Sequence, residues 1–112
     1  MVQATKSVMP ESLSGEVVHQ FSLLCFSTSW CAPCQQMKPV VEALKKHFAD
    51  RISILPVDAD EYPHLTQGYK IRAVPTFVFL DKDVETARRS GAVSLPEMAK
   101  WLDLQVQEAT QK

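Results

Sequence analysis

The sequence predicts an α/β fold, a mixed central β-sheet of four to five strands flanked by about four helices. Three observations carry that reading. Phe21-Ser22-Leu23-Leu24-Cys25-Phe26 is an apolar run with the length and composition of a buried strand. After it, Met37, Val40, Val41, Leu44 and Phe48 recur at i, i+3, i+4, i+7 and i+11, one face of a helix, and Ile52 to Val57 reads as the next strand. Strand, helix and strand in that order make a right-handed parallel βαβ unit. Finally, Thr76-Phe77-Val78-Phe79-Leu80 is an apolar strand joined through Asp81-Lys82-Asp83 to a weaker strand around Glu85 to Arg89. So short a connection makes that pair an antiparallel hairpin.

Taken in order, residues 2 to 9 carry a weak signal for a short edge strand. Pro10-Glu11 opens a helix reaching about His19, with Leu13, Val17 and Val18 apolar and Glu11 acidic near its start. The central strand spans 22 to 27, and the long helix runs from about Cys34 to Asp50. Pro39 lies inside that helix, where it removes a backbone bond and bends the axis. Asp58-Ala59-Asp60-Glu61 is a carboxylate-rich turn into a short helical stretch from Pro63 to Tyr69, which Gly68 is expected to help end. Ser94-Leu95-Pro96-Glu97 is a capping box with proline in the first turn. Behind it Met98, Trp101, Leu102, Gln105 and Val106 share one face, and the Gln-rich end from Gln107 is expected to fray.

Length and composition set bounds. At 112 residues the chain reads as one domain, 1–112, large enough to hold a core without staples. Hydrophobic residues at 46% and charged residues at 22% are an ordinary balance, and a net charge of −1 gives no footprint for nucleic acid or an anionic membrane. Lys45-Lys46 and Arg88-Arg89 read as solvated faces. Three cysteines are too few for a secreted disulfide framework, and the opening Met1-Val2-Gln3-Ala4-Thr5-Lys6 lacks the apolar core of a signal peptide. No apolar run approaches a membrane span. The expected compartment is therefore reducing cytoplasm, where a lone C-x-x-C is more often catalytic or metal-binding than structural.

The chemistry centres on Ser29-Trp30-Cys31-Ala32-Pro33-Cys34, between the first strand and the long helix. A strand thus delivers two cysteines to the first turn of a helix. Free backbone N–H groups and the positive end of the helix dipole stabilise an anion there, so a thiol gains thiolate character. Pro33 is tolerated in a first turn, where its missing N–H leaves no helical bond unmade. Two intervening residues let both sulfurs meet and close a small ring. This is a reversible dithiol/disulfide pair, with Cys31 expected at the exposed mouth of the turn and Cys34 more covered.

Longer-range motifs extend the reading. Trp30-Cys31-Ala32-Pro33-Cys34 with Lys38-Pro39, Val57-Asp58-Ala59-Asp60 with Pro63, Ile71-Arg72-Ala73-Val74-Pro75-Thr76-Phe77, and Ser90-Gly91-Ala92 together resemble thioredoxin, in the expected order and spacing over roughly residues 8 to 106. The resemblance implies a thioredoxin fold. It assigns Cys31 as the thiol that attacks a partner's disulfide and Cys34 as the thiol that resolves the mixed disulfide. It implies a cis Val74–Pro75 bond facing the dithiol, beside which an extended substrate peptide can pair with the Val74 backbone. By the same analogy Trp30, Ala32, Pro33, Val74, Pro75, Gly91 and Ala92 border the substrate-docking groove. Read alone, Pro75 is a strand-starting proline, and Gly91-Ala92 a tight strand-to-helix connection.

The sequence also departs from that family's pattern. Thioredoxins usually carry a buried aspartate on the central strand, where this chain has Cys25, and a lysine near it, where this chain has Pro56. These two positions are the expected redox-tuning sites. Without the carboxylate, Cys34 titrates in an apolar site with no obvious base, and burial alone raises a thiol pKa. Cys25 reads first as a small buried hydrophobe, and second as a third thiol able to capture Cys34 under oxidation. Ala32 replaces the usual glycine, Ser27 a usual tryptophan and Asp83 a usual hairpin glycine.

Other constellations are weaker. C-x-x-C supplies two of the four ligands a zinc site needs, and His19, His47 and His64 are scattered, so no metal is expected and the histidines read as unpaired surface residues. Asp58, Asp60 and Glu61 read as a solvated turn, with Asp60 neighbouring the docking groove. Trp101 reads as packing. The functional expectation is a cytosolic disulfide oxidoreductase that reduces disulfide-containing proteins, needs no bound cofactor, and takes its electrons from a flavin-dependent thioredoxin reductase. The alternatives are a thioredoxin-fold adaptor that holds a partner protein without turnover, and a more oxidising disulfide donor or isomerase.

Overall fold

Two apolar strands run side by side through the middle of the sheet and set its architecture: β1 (Phe21–Ser27) and, antiparallel to it, β3 (Thr76–Asp81). In the computed structural model, which describes Gly15 and residues 17–111, both are almost continuously buried. Strands covered on both faces need such uninterrupted apolar runs, because neither side can be given to water. β2 (Ile52–Asp58) pairs parallel to β1, and β4 (Val84–Ser90) antiparallel to β3, giving the order β2-β1-β3-β4. β4 alternates exposed with half-buried residues, as an edge strand open to water on one face does.

Three helices complete the described residues: α1 (Ala32–His47), α2 (Pro63–Gly68) and α3 (Leu95–Thr110). The sheet divides the core into two clusters. On one face Leu23, Cys25, Ile52, Ile54, Phe77 and Phe79 pack against Met37, Val41 and Leu44 of α1 and Met98 and Leu102 of α3. On the other, Leu24, Phe26, Leu55, Val57, Val78 and Leu80 pack against Leu65 of α2 and Tyr69. Neighbouring residues of each strand therefore feed opposite faces, as a pleated strand requires.

Several expectations change. The fourth expected helix, Pro10 to about His19, falls largely outside the described residues, and its described end, 17–20, is not helical. There the N–H groups of Val18 and His19 instead donate to Ser53 Oγ at 3.0 and 3.2 Å. The expected edge strand over residues 2 to 9 lies wholly outside the described residues. Gly68 does not end α2 by a left-handed turn; it is the last helical residue, and the positive φ falls on Lys70 at 55°. The end of α3 does not fray at Gln107. It continues to Thr110, whose hydroxyl donates to the carbonyls of Val106 and Gln107, while Ala109 packs against the core. His19 is not unpaired, since its Nε2 meets the Ala49 carbonyl at 2.7 Å.

The hairpin forms as the sequence predicts, and so does the Ser94 half of the capping box. Lys82 and Asp83 both take positive φ, 50° and 70°, the geometry of a two-residue turn whose twist matches its strands. Ser94 caps α3, its Oγ accepting from the Glu97 N–H at 3.3 Å.

Candidate functional site

The β1–α1 connection places both cysteines at the end of a central strand. Cys31 is the N-cap of α1, with extended backbone, and its Sγ accepts from the Cys34 N–H at 3.3 Å. The sulfur thus takes the place a serine or aspartate oxygen takes at other helix starts, satisfying an amide that has no partner within the helix. Cys31 Sγ also meets the Val74 carbonyl at 3.6 Å, and Val74–Pro75 is a cis peptide. Both cysteines are free thiols.

One expectation fails here. Cys31 is not at an exposed mouth: it is 6% exposed and Cys34 3%, so both are buried and little separates them. The reason is the Val74 segment lying over the helix start, a contact with a loop more than forty residues away. What separates the two sulfurs is their surroundings. Burial pushes the Cys34 thiol up to about 11, its hydrogen bond with Cys31 adding to the rise and a backbone contact from Thr28 opposing it.

The remaining predicted groove residues surround this point. Trp30 is 72% exposed, and its indole N–H donates to Asp60 Oδ2 at 3.1 Å. Asp60 is itself fixed by a tight turn in which Asp58 Oδ1 accepts the N–H groups of Asp60 and Glu61. The carboxylate-rich turn is therefore tied to the indole beside the dithiol. Gly91, with φ of 90°, donates its N–H to the Pro75 carbonyl at 2.8 Å and brings the exposed Gly91-Ala92 pair beside the cis-proline loop. Only glycine takes that φ without strain. Thr76 holds the same loop from its other side, its hydroxyl donating to the Ala73 carbonyl at 2.6 Å. Ala32 and Pro33 are exposed in the first turn of α1.

Behind the dithiol lies a cavity of about 370 Å³. Its lining includes Cys25 and Ser27 of β1, Pro56 of β2, and Cys34, Lys38 and Glu42 of α1. Cys25 and Pro56 are direct partners in the β1–β2 register, which is why residues far apart in sequence share one wall. Lys38, Glu42 and Pro56 are exposed, so the cavity opens to solvent on that side. Burial holds the Cys25 thiol up at about 12, with Lys45 pulling weakly the other way. Glu42 belongs to none of the motifs in the sequence. The signal available for it was its position two turns after Cys34 on the same helix.

Comparison with known proteins agrees with this arrangement. The thioredoxin family model matches residues 4–104. The chain belongs to the thioredoxin family. Thioredoxin-1 of Drosophila melanogaster is 37% identical over 70 residues, which is 62% of this chain and 65% of that protein, so the match spans just under two thirds of the relative's length. Thioredoxin of Acidithiobacillus ferridurans is 31% identical over 84 residues, covering 75% of this chain and 78% of the relative. Among solved structures, a point mutant of thioredoxin from Halobacterium salinarum superposes with a TM-score of 0.69 at 28% identity, over 74% of this chain and 72% of that one. The mixed four-stranded sheet is a thioredoxin fold, with three helices among the described residues rather than about four. Its Cys31–Cys34 pair, at the start of α1, has the C-x-x-C spacing of that family.

Three of the positions that depart from the family's usual residues, Cys25, Ser27 and Pro56, line the same cavity. Among the described residues no cluster of His, Cys, Asp or Glu is suited to hold a metal, and no helix is long and apolar enough to cross a membrane.

Proposed function

We propose that this chain is a protein-disulfide reductase working by thiol–disulfide exchange, with Cys31 as nucleophile and Cys34 as resolving thiol. The observation that carries the reading is the Cys31 sulfur at the α1 N-cap, receiving the Cys34 N–H while lying against the Val74 carbonyl. A sulfur bearing negative charge strengthens the bond from the amide, because charge-assisted hydrogen bonds exceed neutral ones. An extended substrate running past Val74 is brought to the sulfur by its own backbone, the way a strand adds to an edge.

The exchange balances in two steps. Cys31 thiolate attacks one sulfur of the partner's disulfide, forming a mixed disulfide and releasing the other sulfur as a thiolate. Cys34, once ionised, attacks Cys31 Sγ, closing the Cys31–Cys34 disulfide and releasing the partner's second thiol. The electrons come to rest on the partner, and no bound cofactor takes part. An external dithiol system, by family a flavin-dependent thioredoxin reductase, returns the pair to its reduced state. Trp30, Ala32, Pro33, Val74, Pro75, Gly91 and Ala92 form the docking surface, Cys25 and Pro56 tune the pair, and the cytoplasm is the fitting compartment for a single domain over residues 1–112.

Insulin reduction driven by dithiothreitol tests this. The wild-type chain accelerates precipitation of the insulin B chain, and Cys31→Ser returns the rate to the dithiothreitol background. The absence of any acceleration by the wild type sinks the reading. A second reading, an adaptor without turnover, draws support from the high pKa of Cys34 and the missing buried carboxylate. It predicts partner binding that survives Cys31→Ser. A donor or isomerase differs in potential, nearer −120 to −180 mV than the roughly −270 mV of a reductase.

A further inference from the structure

Cys34 has to ionise before it closes the disulfide, and the groups nearest it offer no base. Cys31 is consumed in the mixed disulfide, and Cys25 stays protonated throughout the neutral range. The cavity is the feature that joins Cys34 to ionised side chains. Its volume of about 370 Å³ is far above the roughly 10–15 Å³ by which a cavity admits one water. Two charged residues line it, Lys38 and Glu42, both exposed on α1. Lys38 is a cation and not a base, and the other lining side chains are apolar apart from the Ser27 hydroxyl and the two thiols. Glu42 is thus the one carboxylate in the lining, and the one carboxylate base the cavity offers Cys34.

We infer that the cavity is the route by which Cys34 loses its proton during resolution, with the Glu42 carboxylate at its opening receiving that proton through water. The inference rests on the exchange mechanism above and deepens it. As Cys34 Sγ forms its bond to Cys31 Sγ, the sulfur–sulfur bond to the partner breaks, the electron pair leaves on the partner's sulfur, and the Cys34 proton passes along water to Glu42. Glu42 then sheds it to bulk solvent, to which it is open. Lys45 Nζ lies 3.9 Å from Glu42 Oε2 on the same helix, and Lys38, Cys25 of β1 and Pro56 of β2 line the cavity with it.

Stopped-flow reaction of the reduced protein with 5,5′-dithiobis(2-nitrobenzoate) separates the steps. The first equivalent of thionitrobenzoate reports attack by Cys31 and the second reports resolution by Cys34. In the wild type, the second-phase rate changes much less than about tenfold per pH unit between roughly pH 6 and 8. Glu42→Gln slows the second phase relative to the first by roughly tenfold at pH 7, less than the roughly hundredfold of a base in direct contact because water intervenes, and Glu42→Asp restores most of it. Ser27→Trp, which fills the cavity, slows the second phase and also protects Cys34 of a Cys31→Ser background from iodoacetamide. A second phase that is indifferent to Glu42→Gln, and that climbs tenfold per pH unit in both proteins, overturns this inference alone, because hydroxide is then the base. A missing first phase overturns the oxidoreductase reading and this one with it.

Discussion

The two sides of the dithiol are built differently. In front, Trp30, Asp60, the Val74–Pro75 loop and Gly91 are held in place by named hydrogen bonds, and each residue is the one the family resemblance leads one to expect. Behind, Cys25, Ser27 and Pro56 stand where the family resemblance leads one to expect other residues, and they line a cavity open to solvent. On the proposed mechanism the front positions a partner and presents Cys31, while the rear governs the proton on Cys34. Attack and resolution are then under separate structural control, and a chain can keep one while altering the other.

The sharpest test of that separation is a pair of serine variants. Cys31→Ser removes all exchange above the uncatalysed background, whereas Cys34→Ser still attacks and accumulates a mixed disulfide that mass spectrometry detects as a covalent adduct. If Cys34→Ser also fails to attack, front and rear are not separable. Next in size, Cys25→Asp places a carboxylate in the rear wall. It accelerates resolution at pH 7 by roughly tenfold or more, and makes the second phase insensitive to Glu42→Gln. An unchanged rate would show that the rear wall does not control the proton.

The rear also leaves a signature in stability. Cys34 and Cys25 are harder to ionise folded than unfolded, with thiols near 8.5 in the unfolded chain and about 11 and 12 in the fold. As pH rises above about 8.5 the unfolded chain sheds these protons first, so stability present below that pH is lost progressively until the folded values are reached. Each thiol contributes a slope of up to about 1.4 kcal/mol per pH unit in that window. Urea unfolding of the reduced protein is thus expected to weaken from about pH 9 to 11, and Cys25→Val to flatten the dependence. The smallest effect belongs to the front: Asp60→Ala frees the Trp30 indole and raises KM for a protein disulfide a few-fold, about 0.5–1 kcal/mol for one exposed hydrogen bond, with kcat unchanged.

Most of this was legible in the sequence wherever a pattern is local. The apolar runs at Phe21 and Thr76, the periodic face of Met37, Val41 and Leu44, the Ser94 side-chain cap and the Asp81–Asp83 hairpin turn each rest on interactions within a few residues, and all appear. Misjudged features depended on distant partners. The end of α3 persists because Ala109 finds the core, and Cys31 is buried because the Val74 loop covers it. His19 finds its partner in a carbonyl thirty residues along the chain.

By itself, the order of residues determined a βαβ-plus-hairpin domain with two cysteines at a helix start, because helix and strand periods and cap chemistry are written in neighbouring positions. It also named Cys25, Ser27 and Pro56 as departures, pairing Cys25 with Pro56 by family resemblance and leaving Ser27 apart. Only the tertiary structure decided that the three share one cavity with Cys34 and Glu42. Strand register and helix packing bring them together, and those are settled by burying both faces of the sheet at once.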